Sequence, residues 1–198
     1  MKRRNTKDLI IEIAFKQFAE NGFDSASIRT IAKEVGIRES AIYNHFNSKT
    51  ALLNEIFDTK VNHNLGADLL TDDILNKIEN PKKFLQIFVD KLLKVWESND
   101  EKLLFLLLIK EATSPRENSY SLLKSIEEIT QIWEFVFKQM IDFGIIENQN
   151  PALLANEFIS PIFFFRMKLF LAQTSSEKKK IKKDITNHIN FFTNIISK

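Results

Sequence analysis

The residues best suited to chemistry lie between Ile28 and Lys49, IRTIAKEVGIRESAIYNHFNSK, and that chemistry is hydrogen bonding to DNA rather than bond cleavage. Ile31, Val35, Ile37 and Ile42 stand at offsets that fill the corner between two short helices. Ala32 is small where the helices must cross closely, and Gly36 sits where a tight turn calls for positive φ. This is the spacing of a helix-turn-helix, whose second helix enters the major groove. Bond-making groups are scarce elsewhere. With no cysteine in the chain there is neither a disulfide nor a thiolate, and His45, His63 and His188 are too scattered for a metal site. The sequence holds no Gly-rich phosphate loop, HExxH or GxSxG, and Glu127 with Glu128 reads as a solvated helix face. The expectation is a protein that is not an enzyme and uses no cofactor or metal.

The elements that must position this run are helices. Four Gly and four Pro in 198 residues, with 44% hydrophobic residues, favour long helices over many turns, and the expected fold class is all-α. A first helix from about Thr6 to Asn21 has Asn5 as N-cap, Ile10, Ile13, Ala14 and Phe18 on one stripe, and Gly22 as its stop. Ser27 caps a helix from about Ile28 to Val35, a third runs from about Arg38 to His45, and Ser48 opens a fourth that reaches about Asn64. Four helices of these lengths enclose little apolar surface, so the module should lean on the remainder of the chain.

Beyond Gly66 the segment DLLTDDILNKIENPKK is weakly periodic. A fifth helix should start near Pro81 with Leu85, Phe88, Val89, Leu92 and Trp96 buried. Ser98 and Glu101 form a capping box for a sixth, about Asn99 to Thr113, which is apolar all round at LLFLLLI and therefore expected to be central. After Pro115, the residues Leu122, Ile126, Ile129, Trp133, Val136 and Met140 fall on one side of a seventh helix that ends at Gly144. Asn150 and Pro151 start an eighth, kinked at Pro161. Ser176 precedes a ninth, along which Ile181, Ile185, Ile189, Phe192 and Ile196 align.

Charge supports the motif without replacing it. Residues 1–50 hold nine Lys or Arg against six Asp or Glu, a balance of +3, while the remaining nineteen basic and twenty acidic residues leave −1 on the rest. No apolar run approaches the roughly 18–20 residues of a membrane span, the longest being Leu103 to Ile109. Asp8, Glu12 and Lys16 interrupt Met1 to Gly22 as a secretory signal. A cytoplasmic protein is expected.

A long helix ending in NGF, then Ser27, the helix-turn-helix and YNHFNSKTALL together resemble the TetR/AcrR family of transcriptional regulators. The resemblance covers about residues 6–57 and rests on Phe15 or Phe18 with Ala19, Gly22, Phe23, Ser27, Ile31, Ala32, Gly36, Ile37, Tyr43, His45, Phe46, Lys49 and Leu52. It implies a helix-turn-helix DNA-binding domain of three helices over 1–47. A helical ligand-binding and dimerisation domain over 48–198 comes after it, with about nine helices in all.

By the same resemblance, Arg38, Glu39, Ser40 and Ala41 begin the recognition helix. There Arg38 suits guanine O6 and N7, Glu39 suits cytosine N4 and Ala41 a thymine methyl. Tyr43, His45 and Lys49 match positions that meet phosphates, and Ser27, Arg29, Thr30 and Asn44 are further candidate contacts. Plainer roles compete: His45 as a helix cap, Tyr43 as a packed ring, Glu39 as a tolerated acid.

A single module reads too few base pairs to discriminate well, so a homodimer spanning a palindromic operator is expected. Phe163, Phe164, Phe165, Phe170 and Leu171 cannot all face one core, and Phe191 and Ile195 flank the last helix's stripe. These helices should be buried twice, internally and against a partner. Phe163, Phe170, Ile189 and Phe192 are the expected interface residues.

Fourteen of the eighteen Phe, from Phe57 onward, and both Trp lie outside the reading head. Most should be core, but the resemblance implies an inducer cavity. Its candidate lining is His63, Phe88, Trp96, Phe105, Trp133, Phe137 and Met140, suited to a hydrophobic effector. A repressor released by such a molecule is the expected function. The alternative is a DNA-binding structural adaptor of the same fold with a filled core and no ligand. A helical lipid carrier would leave residues 27–49 without a role.

Overall fold

The computed structural model describes residues 5–64, 67–112 and 122–197, with side chains described for 5–60, 68–112 and 123–197. Among these residues the chain forms ten α-helices and one 3-10 turn, with no strand. No described helix is long and apolar enough to cross a membrane. The chain divides into two compact units, residues 1–64 with 98–122 and residues 65–97 with 123–198.

The first unit is built from α1 (Thr6–Asn21), α2 (Ile28–Val35), α3 (Glu39–Tyr43), α4 (Lys49–Asn64) and α7 (Asn99–Ala112). The Asn5 side chain accepts from the Lys7 N–H to start α1, and Gly22, at φ 84°, ends it by donating its N–H to the Phe18 carbonyl. Ser27 Oγ accepts the Thr30 N–H at 3.0 Å, and Ser48 Oγ accepts the Ala51 N–H at 3.0 Å to open α4. Each hydroxyl satisfies one of the amides that a helix start leaves without an intrahelical partner. The core packs Ile10, Ala14, Phe15, Phe18, Ile31, Ile42, Leu52, Leu53, Ile56 and Phe57.

The apolar helix expected at the centre of the larger domain, α7, instead packs along α1 and reaches α4. Its Leu104, Phe105, Leu107 and Leu108 are buried. The helix-turn-helix thus gains the apolar cover that its own short helices lack. The compact units are therefore cut differently from the division at 47/48 that the resemblance implies.

In the second unit the weakly periodic stretch forms the 3-10 turn Ala67–Leu69 and the single-turn helix α5 (Asp72–Leu75). That extra turn accounts for ten helices where the sequence predicts nine. Then come α6 (Pro81–Trp96), α8 (Leu122–Asp142), α9 (Pro151–Leu171) and α10 (Ser175–Ile196). Asn80 and Asn150 cap α6 and α9, each with a proline next at the first helical position, where its missing N–H costs nothing. The helix α9 is continuous through Pro161. Thr174, not Ser176, starts α10, in a reciprocal capping box with Glu177.

The centre of this unit is Trp133, fully buried. Its ring centroid lies 4.4 Å from that of Phe158, 4.7 Å from Phe88, 5.7 Å from Phe137 and 6.0 Å from Phe84. Phe192 continues the cluster at 5.7 Å from Phe137 and 5.5 Å from Phe158. Ile189 and Phe192 therefore belong to the unit's own core rather than to a surface that a partner can meet.

Candidate nucleic-acid interface

The turn between α2 and α3 depends on Gly36, which adopts φ 81° and ψ 30° and donates its N–H to the carbonyls of Ala32 and Lys33. Ile37 N–H then donates to the Ala32 carbonyl at 3.0 Å. A Cβ at Gly36 would meet nothing within 4 Å, so the requirement is conformational and not steric. Gly36→Ala should destabilise the protein by about 1–2 kcal/mol, the cost of the left-handed region for an L-residue, as read by urea unfolding. A loss below a few tenths would show that the turn does not need its glycine.

The helix α3 is shorter than expected, five residues instead of eight. Arg38 stands before it as an extended N-cap residue, φ −76° and ψ 149°. At about 100° per residue, Glu39, Ser40, Tyr43 and Asn44 share one face of this helix and its continuation, and Ile42 points the opposite way. Burial agrees. Ile42 is buried, whereas Arg38, Glu39, Ser40, Tyr43, Asn44 and His45 are exposed. Ala41 is half-buried, on the inward side of the helix, which draws its methyl away from that face.

At the start of α2, Ser27, Arg29 and Thr30 are exposed as well, and α2 packs against α3. The Ser27 and Thr30 hydroxyls lie 2.6 Å apart, a pair of short donors at a helix N-terminus, where backbone amides favour an anion. Lys49 is half-buried. Its ammonium sits 4.4 Å over the Phe23 ring and 3.4 Å from the Asp24 carbonyl, so it also braces the connection between α1 and α2.

Two supports of this surface have no local sequence signature. Gln17, buried on α1, donates to a Glu34 carboxylate oxygen of α2 at 2.7 Å. Lys7 pairs with Glu55 of α4 at 2.5 Å and lies 5.6 Å over the Phe46 ring. Both fix α2 and the end of the reading helix against α1 and α4.

The residues expected to line an effector cavity are not all gathered. Phe88, Trp133, Phe137 and Met140 lie in the core of the second unit, with Trp96 packed against it; Phe105 is on α7 in the first unit. The His63 side chain lies outside the described residues. Within the second unit the Trp96 and Trp133 indole nitrogens and His188 Nε2 are buried without a hydrogen-bond partner. Burial lowers the His188 pKa, and Glu157 opposes that shift.

Arg166 on α9, missed in the sequence, is 5% exposed and lies 5.7 Å from the Trp96 ring. Burial lowers its guanidinium pKa to about 9. Its one available signal was a cation, one of two with Lys168, in the apolar run PIFFFRMKLFL. Of the expected interface residues, Phe163 and Phe170 are half-buried. The exposed apolar side chains of α9 and α10 are Leu153, Phe164, Leu171, Phe191 and Ile195.

Residues 10–56 match the family model for bacterial regulatory proteins of the tetR family. A curated relative, the negative transcriptional regulator of the biofilm operon icaADBC, IcaR of Staphylococcus epidermidis, is 23% identical over 91% of each chain. Three others reach 36–48% identity over 47–55 residues, so the chain spans only 16–26% of their length. Among solved structures, a TetR-family regulator of Mesorhizobium loti superposes with a TM-score of 0.75 at 18% identity, covering 98% of this chain and 97% of that one. SmeT of Stenotrophomonas maltophilia in complex with triclosan gives 0.70 at 14%, covering 98% and 92%. At these identities the two structures establish a shared fold.

Proposed function

We propose that this chain, whose residues 10–56 match the family model for tetR regulatory proteins, is a cytoplasmic homodimeric repressor of that family that binds a palindromic operator and is released by a hydrophobic small molecule. The observation that carries the DNA reading is the polar face of α3, set opposite a buried Ile42 and preceded by an exposed Arg38. Specificity falls to Arg38, Glu39, Ser40 and, at the rim, Ala41. Tyr43, Asn44, His45, Lys49, Ser27, Arg29 and Thr30 meet the backbone. In function the division is 1–47 for reading and 48–198 for dimerisation and response.

Dimerisation is assigned to α9 and α10, which pack together and leave Phe164, Leu171, Phe191 and Ile195 exposed. Apolar side chains of that size on two paired helices suit a second copy of the chain. Release is assigned to the second unit, whose aromatic core holds indole N–H groups without acceptors. A hydrophobic effector with one or two acceptor atoms matches them. The relative named as a negative regulator and the neighbour solved with triclosan support repression and ligand response.

The chain passes directly from α3 into α4, which ends where the second unit begins. An effector that prefers one arrangement of that unit shifts the spacing of the two heads by its differential affinity.

The test is a pair of variants. Arg38→Ala should relax choice at one base pair at a cost of about 1–3 kcal/mol. Lys49→Ala should weaken every sequence alike and lower the salt slope by about 1. Equal losses on specific and random duplex for both variants would refute the division of roles.

A further inference from the structure

We propose that Lys110 is a positioning residue for DNA recognition, acting from α7 on the carboxyl end of α1; this rests on the DNA-reading function proposed above. The last carbonyls of α1 have no partner within the helix, and α1 carries no basic residue in its own last turn. Lys110 Nζ supplies what is missing, donating to the Ala19 carbonyl at 2.7 Å and to the Glu20 carbonyl at 3.2 Å. The third carbonyl of that turn, Phe18, is taken by the Gly22 N–H at 3.0 Å. A cation at this end also opposes the negative pole of the helix.

The carboxyl end of α1 is where the reading helices are launched. Gly22 turns the chain at φ 84°, and Phe23 packs on Phe18 with centroids 5.2 Å apart. Ala26 N–H then returns to the Gly22 carbonyl at 3.2 Å, and Ser27 caps α2. Whatever holds Ala19 and Glu20 therefore sets the direction in which α2 and α3 leave.

The hold comes from a helix some ninety residues away in the chain, and it is anchored at both ends. Near the start of α7, Asp100 pairs with Lys60 of α4 at 3.3 Å, and the Lys60 ammonium lies 4.7 Å over the Phe15 ring of α1. Near its finish stands Lys110. The helix α7 lies wholly within the first unit, so its two anchors act on α1 and α4 from inside that unit.

Lys110 is exposed, so Lys110→Met removes the charge and the two hydrogen bonds without opening the core. With the full-length protein, anisotropy titrations compare a duplex selected by the wild type with a random duplex, beside circular-dichroism melts. Lys110→Met should lose about tenfold on the selected duplex, the size of a charge-assisted hydrogen bond. It should lose less than about twofold on the random one, because phosphate contacts tolerate a misdirected helix, and melt within a few degrees of wild type. Lys110→Arg should recover most of the loss.

Unchanged affinity in Lys110→Met, equal losses on both duplexes that track a lowered melting point, or no recovery with arginine would overturn the role of Lys110 alone. A wild type that selects no duplex would overturn the DNA reading, and this proposal with it.

Discussion

Trp133→Ala should lower the stability of the protein by about 3–5 kcal/mol, the cost of emptying a large aromatic site in a packed core. Trp133 is wholly buried among four phenylalanine rings at 4.4–6.0 Å. Aromatic pairs of this kind contribute beyond their area, about 0.5–1.5 kcal/mol each, so truncation removes both volume and ring contacts. At about 2–4 °C per kcal/mol for a chain of this length, the melting midpoint should fall by roughly 6–20 °C.

The indole N–H gives a control. It is buried without an acceptor, which costs about 1–3 kcal/mol. Trp133→Phe should thus recover most of the loss, since it keeps a ring and deletes the orphan donor. Calorimetry of the two variants checks this. An alanine variant within 1 kcal/mol of wild type would mean that Trp133 is not the keystone of the second unit.

Phe191→Asp combined with Ile195→Asp should leave the folded subunit intact and abolish the dimer. The two side chains are 65% and 48% exposed on one side of α10, so the subunit loses little core contact. The dimer would have to bury two carboxylates per subunit in an apolar patch, which is costly without partners. Losing the second head removes its effective concentration, and binding to the operator should fall by about 10²–10⁴. Sedimentation and duplex titration read the two effects together. A variant that still sediments as a dimer would move the interface away from the end of α10.

How much of this was legible in the sequence depended on distance along the chain. The caps Asn5, Ser27, Ser48 and Asn150 were readable because a cap is fixed by residues within three or four positions. Gly36 was readable because only a positive φ explains glycine between two short helices. The short α3 shows the limit of such reading, since no breaker residue marks its end at Tyr43, where the N–H groups of His45 and Phe46 both return to the Ile42 carbonyl.

Packing partners were harder to read. Periodicity placed Ile189 and Phe192 on a stripe with Ile181 and Ile185, but a stripe does not say what covers it. The core claimed that stripe, leaving Phe191 and Ile195 outside. The run LLFLLLI announced burial of α7 without naming α1 as its neighbour. Lys110 gave no signal at all, because its partners are backbone carbonyls ninety residues earlier.

The central claim is a pair of identical reading heads held at a fixed spacing. Selection of bound duplexes from a random pool by the purified protein tests it most directly. A palindrome with half-sites about one helical turn apart, near 34–36 Å or a multiple, is the predicted result. Recovery of a single unpaired half-site, or of no preferred sequence, would contradict it.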